Sequence, residues 1–512
     1  MAERRSSVIG RTRAPEMVKT VLRAPAELPP FREAFQRIRA DFDIPTGFPD
    51  VVQDEAERTS AAGPSMPDGA ASKDRRDARD VPFVTIDPAG SRDLDQAYFA
   101  QRLDAGGFRV EYAIADVAAF AAPGGAVETE SFRRGVTVYL PDGRAPQLPN
   151  VIGEGAASLL PSEERPALLW TIDLDDRGVA VATRLERATI RSRRAMTYVD
   201  AQRELDGGGA DEAIVLLREI GDLRLGLEAT RGGVSLDLPT QDVIGSGTGG
   251  FDLRYEAPLP VERWNAQISI LAGIQAAKIM IDAGVGILRT VPEPSPEFLA
   301  RLRHTAQALR VPWPEGARWS DVVRRLDRAK PEQAAFLIQA AHALRGSGYA
   351  LVDAGTAGSA RPPVHAGIGS VYAHVTAPLR RLADRYANEI VLAYCGGAKP
   401  PAWAEARLPE LVKTMDESTT REARIEHAVI DAVECAVLSG HVGEHLDATV
   451  VDQNEHGAIV QITEPAVVAP LAADLPLGSQ VGVIVRAVDP VARRVELTPS
   501  PHEGPSAQVR NG

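Results

Sequence analysis

The chain has 512 residues, of which 44% are hydrophobic and 25% charged, a composition typical of a soluble globular protein with about three domains. No apolar run reaches the ~18 residues of a membrane span, and no apolar segment follows the charged first residues. We therefore predict a cytoplasmic protein without a secretory signal or a membrane partner. The net charge of −13 argues against nonspecific coating of nucleic acid, which depends on Lys and Arg. Cys395 and Cys435 lack metal-type neighbours, which predicts buried thiols rather than a zinc site.

The first 80 residues are predicted to form a short helical region. Residues 31–42 carry apolar side chains at helical spacing, which predicts an amphipathic helix. Residues 61–70 are rich in small residues, Pro and Gly, which predicts a flexible linker. We therefore place the N-terminal region at residues 1–80, ahead of the first strand-like segment.

An acidic cluster follows the strand predicted at residues 81–86. It contains Asp87, Asp93 and Asp95. Carboxylates this close repel one another unless a cation lies between them, and oxygen ligands suit Mg²⁺ or Mn²⁺. The cluster therefore predicts a metal site for phosphodiester chemistry. The alternative is a solvated turn, in which Asp, Gly and Pro are common.

The segments that follow are ordered as strands and then helices. Up to about residue 200 the chain has short strand-like runs such as 108–115, and the acid-rich residues 173–178 between two such runs predict a hairpin turn. Helical periodicity then dominates, with long amphipathic segments at 261–283 and 402–438. This order predicts an α+β fold for residues 81–438, with a mixed sheet and packed helices, rather than a doubly wound sheet.

The pattern changes again after about residue 439. Short strand-like runs separated by Gly or Asp turns lie at residues 446–451, 458–462, 466–471, 480–486 and 494–497. About five strands in so short a segment predict a small all-β barrel of the OB type at residues 439–500. Residues 501–512 are predicted to be a disordered tail.

A second polar segment surrounds Pro378, which lies near a predicted helix start. A helix N-terminus favours phosphate, and Arg380 and Arg381 add planar, permanently charged groups that match phosphate oxygens. The alternative is a capped surface helix in which one of these arginines pairs with Asp384 at helical spacing. His374 alone is more typical of a hydrogen-bonded structural histidine than of a base.

Three further side chains have both a functional and a structural interpretation. Tyr139 precedes a turn, where an aromatic ring can stack on a base or pack in the core. Glu262 opens the helix predicted at 261–283, and Glu426 lies in the last long helix. A glutamate in either position is most often a solvent-facing helical residue.

Taken in this order, the segments resemble the catalytic RNB domain of the ribonuclease II/R family of 3′-to-5′ exoribonucleases. The matching motifs are Phe83-Val-Thr-Ile-Asp87-Pro with Asp93-Leu-Asp95, Tyr112-Ala-Ile-Ala-Asp116-Val, Val138-Tyr139-Leu-Pro, Ala157-Ser158-Leu159, Arg231-Gly-Gly-Val-Ser-Leu-Asp237, Glu262 and Tyr372-x-His374-x-Thr376-Ala-Pro378-Leu-Arg380-Arg381. They cover residues 80–438, and the tail resembles the family's OB-type RNA-binding barrel. Residues 1–80 lack the pattern of the family's cold-shock barrels, so the chain resembles a shortened bacterial member.

The resemblance implies hydrolysis of single-stranded RNA from a free 3′ end, one nucleotide at a time, to nucleoside 5′-monophosphates with Mg²⁺ or Mn²⁺. By this resemblance Asp87 and Asp93 hold the metal and its water, and Asp95 binds the metal or the terminal ribose. Arg380 contacts the scissile phosphate and stabilises its developing charge. Glu426 corresponds to a catalytic glutamate near the end of the domain.

The same resemblance assigns the residues that bind substrate. Tyr139 would stack on the terminal base, and Glu262 would hydrogen-bond the terminal ribose hydroxyls, which distinguish RNA from DNA. Gln96, His374 and Arg381 complete the expected substrate-binding set. We expect a monomer whose partner is single-stranded RNA.

One position departs from the family pattern D-x-D-D, in which the last aspartate is a metal ligand. This chain has Gln96 there, and glutamine is neutral and a weaker ligand. In one interpretation another carboxylate, such as Glu426 or Asp116, supplies the ligand. In a second, the protein binds RNA 3′ ends and cleaves them slowly or not at all. A third, in which the RNB domain is only a scaffold, predicts no RNA affinity even at low salt.

Overall fold

The computed structural model describes residues 20–22, 29–66, 74–235, 240–245, 251–256, 258–327, 330–353, 362–454, 456–462, 464–465 and 467–500. The tail predicted at 501–512 lies outside the described residues, as do the last four residues of the linker predicted at 61–70 and Asp237 of the motif at 231–237. Nothing further is inferred for those segments.

In chain order the strands are β1 (Thr20–Leu22), β2 (Arg76–Ala78), β3 (Val84–Asp87), β4 (Gln96–Arg102), β5 (Phe108–Ala115), β6 (Val138–Leu140), β7 (Gly143–Ala145), β8 (Glu164–Leu174), β9 (Ala180–Arg191), β10 (Arg194–Thr197), β11 (Thr240–Gly245), β12 (Phe251–Glu256), β13 (Gly286–Thr290), β14 (Gly348–Val352), β15 (His445–Asn454), β16 (Gly457–Ile462), β17 (Val467–Leu471), β18 (Gln480–Asp489) and β19 (Arg494–Ser500). The helices are α1 (Pro29–Asp41), α2 (Asp50–Ala62), α3 (Ala126–Arg134), α4 (Tyr198–Gly207), α5 (Glu212–Arg231), α6 (Pro260–Ala283), α7 (Pro296–Ala308), α8 (Trp319–Val323), α9 (Pro331–Ala341), α10 (Leu382–Cys395) and α11 (Ala402–Leu438).

A mixed sheet with the strand order β10-β3-β4-β5-β8-β9-β2 forms the centre of the protein. Strands β3, β4, β5, β8 and β9 pair antiparallel in succession, and β10 and β2 join the two ends of this series in parallel. Tyr112 and Ile114 of β5 lie in the core that includes α5, α6 and α10, whereas Ala113 and Ala115 lie in a second core that includes α2. Because both faces of the sheet are covered, β5 is buried along nearly its whole length. The predicted α+β fold with a mixed sheet and packed helices is confirmed.

Several local expectations are also confirmed. The turn predicted at residues 173–178 joins β8 to β9, and the Asp175 carboxylate accepts the backbone N–H groups of Arg177 and Val179 at 3.0 and 2.8 Å. Cys435 is buried, but Cys395 is only partly buried, so the expectation of two buried thiols is half right. The sequence analysis missed α2 and the small sheets β1-β11-β12 and β13-β14, whose short strands lie within or beside helix-rich sequence.

Helix α6 is long and apolar enough to cross a membrane by length and composition, and it is the one such helix among the described residues. Half of its most apolar window is buried inside the protein, where α6 packs against α5 and α10. Core helices of globular proteins pass the same test, and the packing identifies α6 as a core helix.

Helix α11 is 37 residues long, about 55 Å, and connects the central body to the C-terminal sheet. That sheet is curled and entirely antiparallel, with the order β17-β16-β15-β18-β19, and its five strands match the predicted barrel. One hydrophobic core joins α1, the hairpin of β6 and β7, the C-terminal half of α11 and the barrel strands. The predicted N-terminal helix is therefore a packed part of the protein.

Candidate functional site

The acidic cluster begins at the last residue of β3. Parallel pairing of β3 with β10 places Asp87 opposite Thr197, and the loop that follows returns the chain to β4. Oδ2 of Asp87 is buried and has no hydrogen-bond partner in the described residues. Burial, followed by the negative charge of Asp93, raises the pKa of Asp87 to about 7. A carboxylate in this condition is stabilised by a cation.

Asp93 is held by the hairpin formed by β6 and β7. Nη1 of Arg144 lies 2.7 Å from Oδ1 of Asp93, and the hydroxyl of Tyr139 donates to its Oδ2 at 3.2 Å. Arg144 also pairs with Glu154 at 2.6 Å. Tyr139 keeps 49% of its surface exposed, so its ring is accessible for stacking while its hydroxyl is anchored.

Asp95 connects the acidic cluster to the segment that carries Arg380, 285 residues further along the chain by residue number. Asp95 is only 4% exposed, and its Oδ1 accepts the backbone N–H of Leu379 at 2.8 Å. Its Oδ2 lies 3.8 Å from Nε of Arg380. Burial raises the pKa of Asp95 well above its usual value, against the opposing effects of Arg380 and the Leu379 N–H. The two motifs singled out in the sequence therefore meet.

Gln96 is held by hydrogen bonds at both ends of its amide. Nε2 donates to the backbone carbonyl of Thr376 at 2.5 Å, and Oε1 accepts the hydroxyl of Tyr112 at 2.9 Å. That hydroxyl also lies 2.8 Å from Oγ of Ser269. These bonds tie the turn after Thr376 to β4 and β5, which gives Gln96 a positioning role.

Arg380 and Arg381 have different environments. Helix α10 begins directly after Arg381, and Pro378 lies in the turn before it. Asp384, which is fully buried, accepts the N–H of Ala377 at 2.7 Å and binds Arg381 through two contacts of 3.0 and 2.9 Å. The ion pair considered in the sequence analysis thus forms, but inside the protein rather than on its surface. The side chain of Arg380 is 42% exposed and remains accessible to a ligand.

A cavity of about 260 Å³ adjoins these motifs and reaches α11. Its wall includes Arg289, Arg380 and Arg381, and the one carboxylate among its described lining residues is Glu422. Tyr139 also lines it. The excess of arginines favours an anionic occupant.

His374 lies on the wall of this cavity in an aromatic group. Its Nδ1 is 2.8 Å from the hydroxyl of Tyr349, and its ring packs edge-on against Tyr349 and Tyr372. Burial, followed by the positive charges of Arg381 and Arg289, lowers the pKa of His374 well below its usual value. The side chain is therefore neutral at pH 7, which favours the structural interpretation over a general base.

The two candidate glutamates lie in different surroundings. Glu262 caps its own helix, since its Oε1 accepts the N–H of Leu259 at 2.9 Å. It is nevertheless within electrostatic range of Tyr198, a neighbour of the acidic cluster. On α11, Thr419 and Glu422 line the cavity, and Glu426 follows Glu422 after one helical turn. The structure therefore brings Glu422 to the cavity, a residue that the sequence analysis did not single out.

Asp116, considered as a replacement metal ligand, belongs to a buried ion-pair network. It lies 2.6 Å from Arg187 and 2.8 Å from Arg75. Burial opposes its charge, but these two arginines outweigh that effect and lower its pKa. Its charge is already matched, so Asp116 is not placed to replace the missing aspartate.

Tyr198 is a neighbour of the acidic cluster that the sequence analysis missed. It follows Thr197, which pairs with Asp87, and the amide of Asn265 donates to its hydroxyl at 3.4 Å. Burial, followed by the negative charge of Asp87, raises the pKa of Tyr198 to about 12. The parallel pairing of β10 with β3 would have indicated this residue, but two strands so distant in sequence carry no local signal of pairing.

The donor set at the acidic cluster fits a hard divalent cation. Asp87 has a buried oxygen without a partner, and Asp93 raises its pKa, as expected where a positive charge is needed between them. Among the described residues, no three His, Cys, Asp or Glu side chains converge into a complete ligand set. Asp95 is buried against Leu379 and Arg380, whereas Asp87 has an oxygen without a described partner and Asp93 lies close enough to raise its pKa, so Asp87 and Asp93 are the carboxylates that best fit an ion here.

Comparison with known proteins decides the family. The RNB domain matches residues 75–397, and the C-terminal S1 domain of RNase II-type exonucleases matches residues 444–500. The chain belongs to the RNB-domain family. RNB nucleases in general depend on a divalent metal ion. The C-terminal barrel predicted as OB-type is accordingly an S1 domain of this family.

Two curated relatives illustrate the extent of the similarity. The chain is 27% identical over 433 residues to exosome complex exonuclease RRP44 homolog A of Arabidopsis thaliana, a match that covers 80% of this chain and 45% of the relative. It is 35% identical over 167 residues to ribonuclease R of Acidithiobacillus ferrooxidans, which covers 33% and 37% of the two chains. The chain spans about half the length of the curated relatives it matches.

Solved structures share the fold of this protein. Mycoplasma genitalium RNase R in complex with ribose-methylated single-stranded RNA has a TM-score of 0.80 and 19% identity, over 92% of this chain and 78% of that one. Yeast Ssd1, described as a pseudonuclease, has a TM-score of 0.62 and 16% identity, over 83% of this chain and 54% of that one. The fold therefore occurs in a ribonuclease and in a pseudonuclease, and catalytic competence has to be judged from the site residues.

Proposed function

We propose that the protein is a 3′-to-5′ exoribonuclease that hydrolyses single-stranded RNA to nucleoside 5′-monophosphates. The observation that carries the proposal is the convergence of the acidic cluster with the second motif, where Asp95 binds the N–H of Leu379 and lies 3.8 Å from Arg380. Membership of the RNB-domain family supports it. We further propose that the protein acts as a monomer in the cytoplasm.

In the proposed mechanism, Asp87 and Asp93 hold a divalent ion, Mg²⁺ or Mn²⁺. When bound there, such an ion would supply activation of water and neutralisation of charge on the phosphodiester. Arg380, with its exposed guanidinium, binds the oxygens of the scissile phosphate and stabilises the charge that develops there. Asp95 orients Arg380 and the turn that carries it, since it contacts both Nε of Arg380 and the N–H of Leu379.

The same geometry suggests how the 3′ end is held. The exposed ring of Tyr139 stacks on the terminal base while its hydroxyl keeps its hydrogen bond to Asp93. This one side chain would therefore hold the terminal base at a fixed position relative to the acidic cluster. Glu262, whose Oε1 caps α6, would use its other oxygen for a ribose hydroxyl, which would favour RNA over DNA.

A second candidate is an RNA-binding protein that grips 3′ ends and cleaves them slowly or not at all. Gln96 favours it, because this amide is engaged with Thr376 and Tyr112 in place of the family's carboxylate. Ssd1, with the same fold, is described as a pseudonuclease.

A time course on 5′-labelled oligo(A) with Mg²⁺ or Mn²⁺, against an EDTA control, separates the two candidates. The exoribonuclease predicts progressive shortening from the 3′ end that EDTA stops. Asp95→Asn is expected to lower the rate by about 100-fold or more, because it disturbs the group that orients Arg380. Asp175→Asn, in the hairpin turn between β8 and β9, serves as the matched control and should leave the rate unchanged. Full activity of Asp95→Asn would contradict the proposal, and intact RNA with retained binding would favour the second candidate.

A further inference from the structure

The wall of the cavity contains a buried arginine whose charge has no carboxylate partner. Arg289, in β13, is only 6% exposed. Its Nη2 donates to Oγ of Ser347 at 2.9 Å, and its guanidinium carbon lies 4.9 Å from the ring centroid of Tyr349. Nη1 is buried without a hydrogen-bond partner, and Arg289 forms no ion pair with a carboxylate among the described residues.

The neighbouring groups do not compensate this charge. The charge of Arg381 is matched by Asp384, which leaves that carboxylate committed. His365 and His374 have strongly lowered pKa values because both are buried, and both are neutral at pH 7. Burying an unpaired charge is costly in the interior of a protein, and natural structures normally pair such charges. Because Arg289 also lines the cavity, an anion that enters the cavity from outside the chain would compensate this charge.

The position of Arg289 indicates which anion this is. It lines the same cavity as Arg380 and Tyr139, which in the proposed function contact the scissile phosphate and the terminal base. A planar guanidinium matches the oxygens of a phosphodiester, and Nη1 of Arg289 still lacks a hydrogen-bond partner. The Ser347 hydroxyl and the Tyr349 ring hold the side chain in one orientation, so little side-chain entropy remains to be lost on binding.

We infer that Arg289 forms a second phosphate-binding subsite, which holds a backbone phosphodiester of the RNA strand other than the scissile one. The inference rests on the proposed RNA substrate, but it does not depend on cleavage. Arg380 then serves the reacting phosphate, and Arg289 fixes the strand through a neighbouring unit. This division explains why the cavity carries a buried arginine that forms no direct ion pair with a described carboxylate.

The test measures binding in EDTA, so that turnover does not interfere. Arg289→Met keeps the bulk of the side chain and removes its charge. It is expected to weaken binding of single-stranded oligo(A) by about tenfold and to reduce the slope of log K against log salt by about 0.7, the value for one lost contact to a single-strand phosphate. Arg224→Met is the matched control, because Arg224 is equally buried, binds the carbonyl of Gly178 and lies outside the cavity lining. It should leave the salt slope unchanged.

A methylphosphonate scan gives a second readout that does not rely on any variant folding. Oligo(A) molecules with one neutral linkage, moved stepwise from the 3′ end, should lose affinity for the wild-type protein at one internal linkage besides the terminal one. In Arg289→Met that internal linkage should become insensitive while the terminal linkage keeps its effect. A wild-type scan sensitive only at the terminal linkage would overturn the inference. Absence of any RNA binding by the wild-type protein would instead overturn the proposed function.

Thermal stability separates this role from a structural one. Because Arg289 is buried without a carboxylate partner, its replacement by Met should leave the melting temperature of the RNA-free protein unchanged or higher. A structural arginine would give a lower melting temperature together with weaker binding. That combined loss, with an unchanged salt slope, would refute the phosphate subsite.

Discussion

The amide of Gln96 makes two hydrogen bonds, and a carboxylate at the same position could accept the one from Tyr112 but could not donate the other. Its N–H donates to the carbonyl of Thr376, and a carboxylate has no proton to donate there. The turn that Gln96 supports leads directly to Arg380, so this residue affects the site through the position of an arginine. The neutral residue at this position therefore holds the turn that leads to Arg380.

The substitution Gln96→Asp tests whether this position limits activity. If the site works with glutamine, the aspartate variant should be no more active than the parent and should melt at a lower temperature, because it loses the bond to Thr376. Gln96→Asn, equally shortened but uncharged, is the control for lost length. A large gain in RNA cleavage by Gln96→Asp from an inactive parent, absent in Gln96→Asn, would support the RNA-binding candidate.

Asp87 should make the metal-free protein sensitive to pH. Its pKa of about 7 in the folded protein lies above the ordinary value of 3.8, so the folded state binds the proton more tightly than the unfolded state. The stabilisation that protonated Asp87 contributes to the folded protein is therefore complete below about pH 4. It is lost as the pH rises through the folded-state pKa of about 7. In EDTA, Asp87→Asn should melt above the wild-type protein at pH 8, by roughly 2 °C, and the difference should vanish below about pH 4.

Adding Mn²⁺ at pH 8 provides the complementary measurement. At that pH Asp87 is ionised, and a bound cation would neutralise its charge as a proton does at low pH. It should raise the melting temperature of the wild-type protein and have little effect on Asp87→Asn. If the wild-type protein melted above Asp87→Asn at pH 8 in EDTA, the charge of Asp87 would not destabilise the folded protein, which contradicts the prediction.

At the scale of secondary structure, the hairpin of β6 and β7 is supported from behind by the N-terminal helix α1. Phe31 and Phe35 of α1 belong to the same core as Val138 and Leu140 of the hairpin. Alternation along β6 directs Tyr139, between those two residues, to the exposed side. The helix therefore contributes to the position of the residue proposed to stack on the terminal base.

A bidentate ion pair adds to this support. Arg39 of α1 binds both oxygens of Asp142, in the hairpin turn, at 2.7 Å each. Arg39→Met is expected to weaken RNA binding by about three- to tenfold, because the hairpin that carries Tyr139 becomes less well fixed. Arg37→Met is the control, since Arg37 is 63% exposed and pairs only within its helix in the described contacts, with Asp41.

A double-mutant cycle identifies the route of this effect. If Arg39 acts through Tyr139, Arg39→Met should have little further effect on RNA affinity in the Tyr139→Ala background. If the two substitutions lowered RNA affinity by fully additive amounts, α1 would act through residues other than Tyr139. Exchange of the charges, in the pair Arg39→Asp with Asp142→Arg, should restore part of the affinity.

Helices and strands with a clear hydrophobic periodicity were predictable from the sequence, whereas the pairing of strands that lie far apart in the chain was not. Helix α6 was expected at 261–283 and runs from Pro260 to Ala283, and the five barrel strands were located by their alternation and turns. By contrast, no local pattern indicates that β10 pairs with β3 and brings Tyr198 to Asp87. Periodicity reports which face of an element is buried, but not which distant element covers it.

The same distinction applies to the site. Asp87, Asp93, Asp95 and Arg380 were recognised because each lies in a dense local motif, and the structure brings them together. Arg289 and Glu422 have no such local context, since an isolated arginine in a strand and a glutamate on a long helix are both common. Their importance arises from the cavity that they share, which only the folded chain forms.

The distribution of charge over the whole molecule should determine which RNA it accepts. The net charge is −13, yet the cavity wall carries three arginines and one described carboxylate. The proposed RNA strand would therefore be repelled by the net charge of the chain and attracted by the arginines of the cavity. A cavity of about 260 Å³ has no room for a duplex.

We accordingly expect a preference for RNA with a single-stranded 3′ tail over a blunt duplex. At about 0.15 M salt, where exposed charges more than ~8 Å apart are largely screened, affinity for a 3′-tailed duplex should exceed that for the blunt duplex by about tenfold. A 5′-tailed duplex with the same tail sequence is the matched control for polarity, and it should bind like the blunt duplex because its 3′ end is paired. Equal affinity for tailed and blunt RNA would mean that binding occurs on an outer surface, and the cavity would then not be where the strand is gripped.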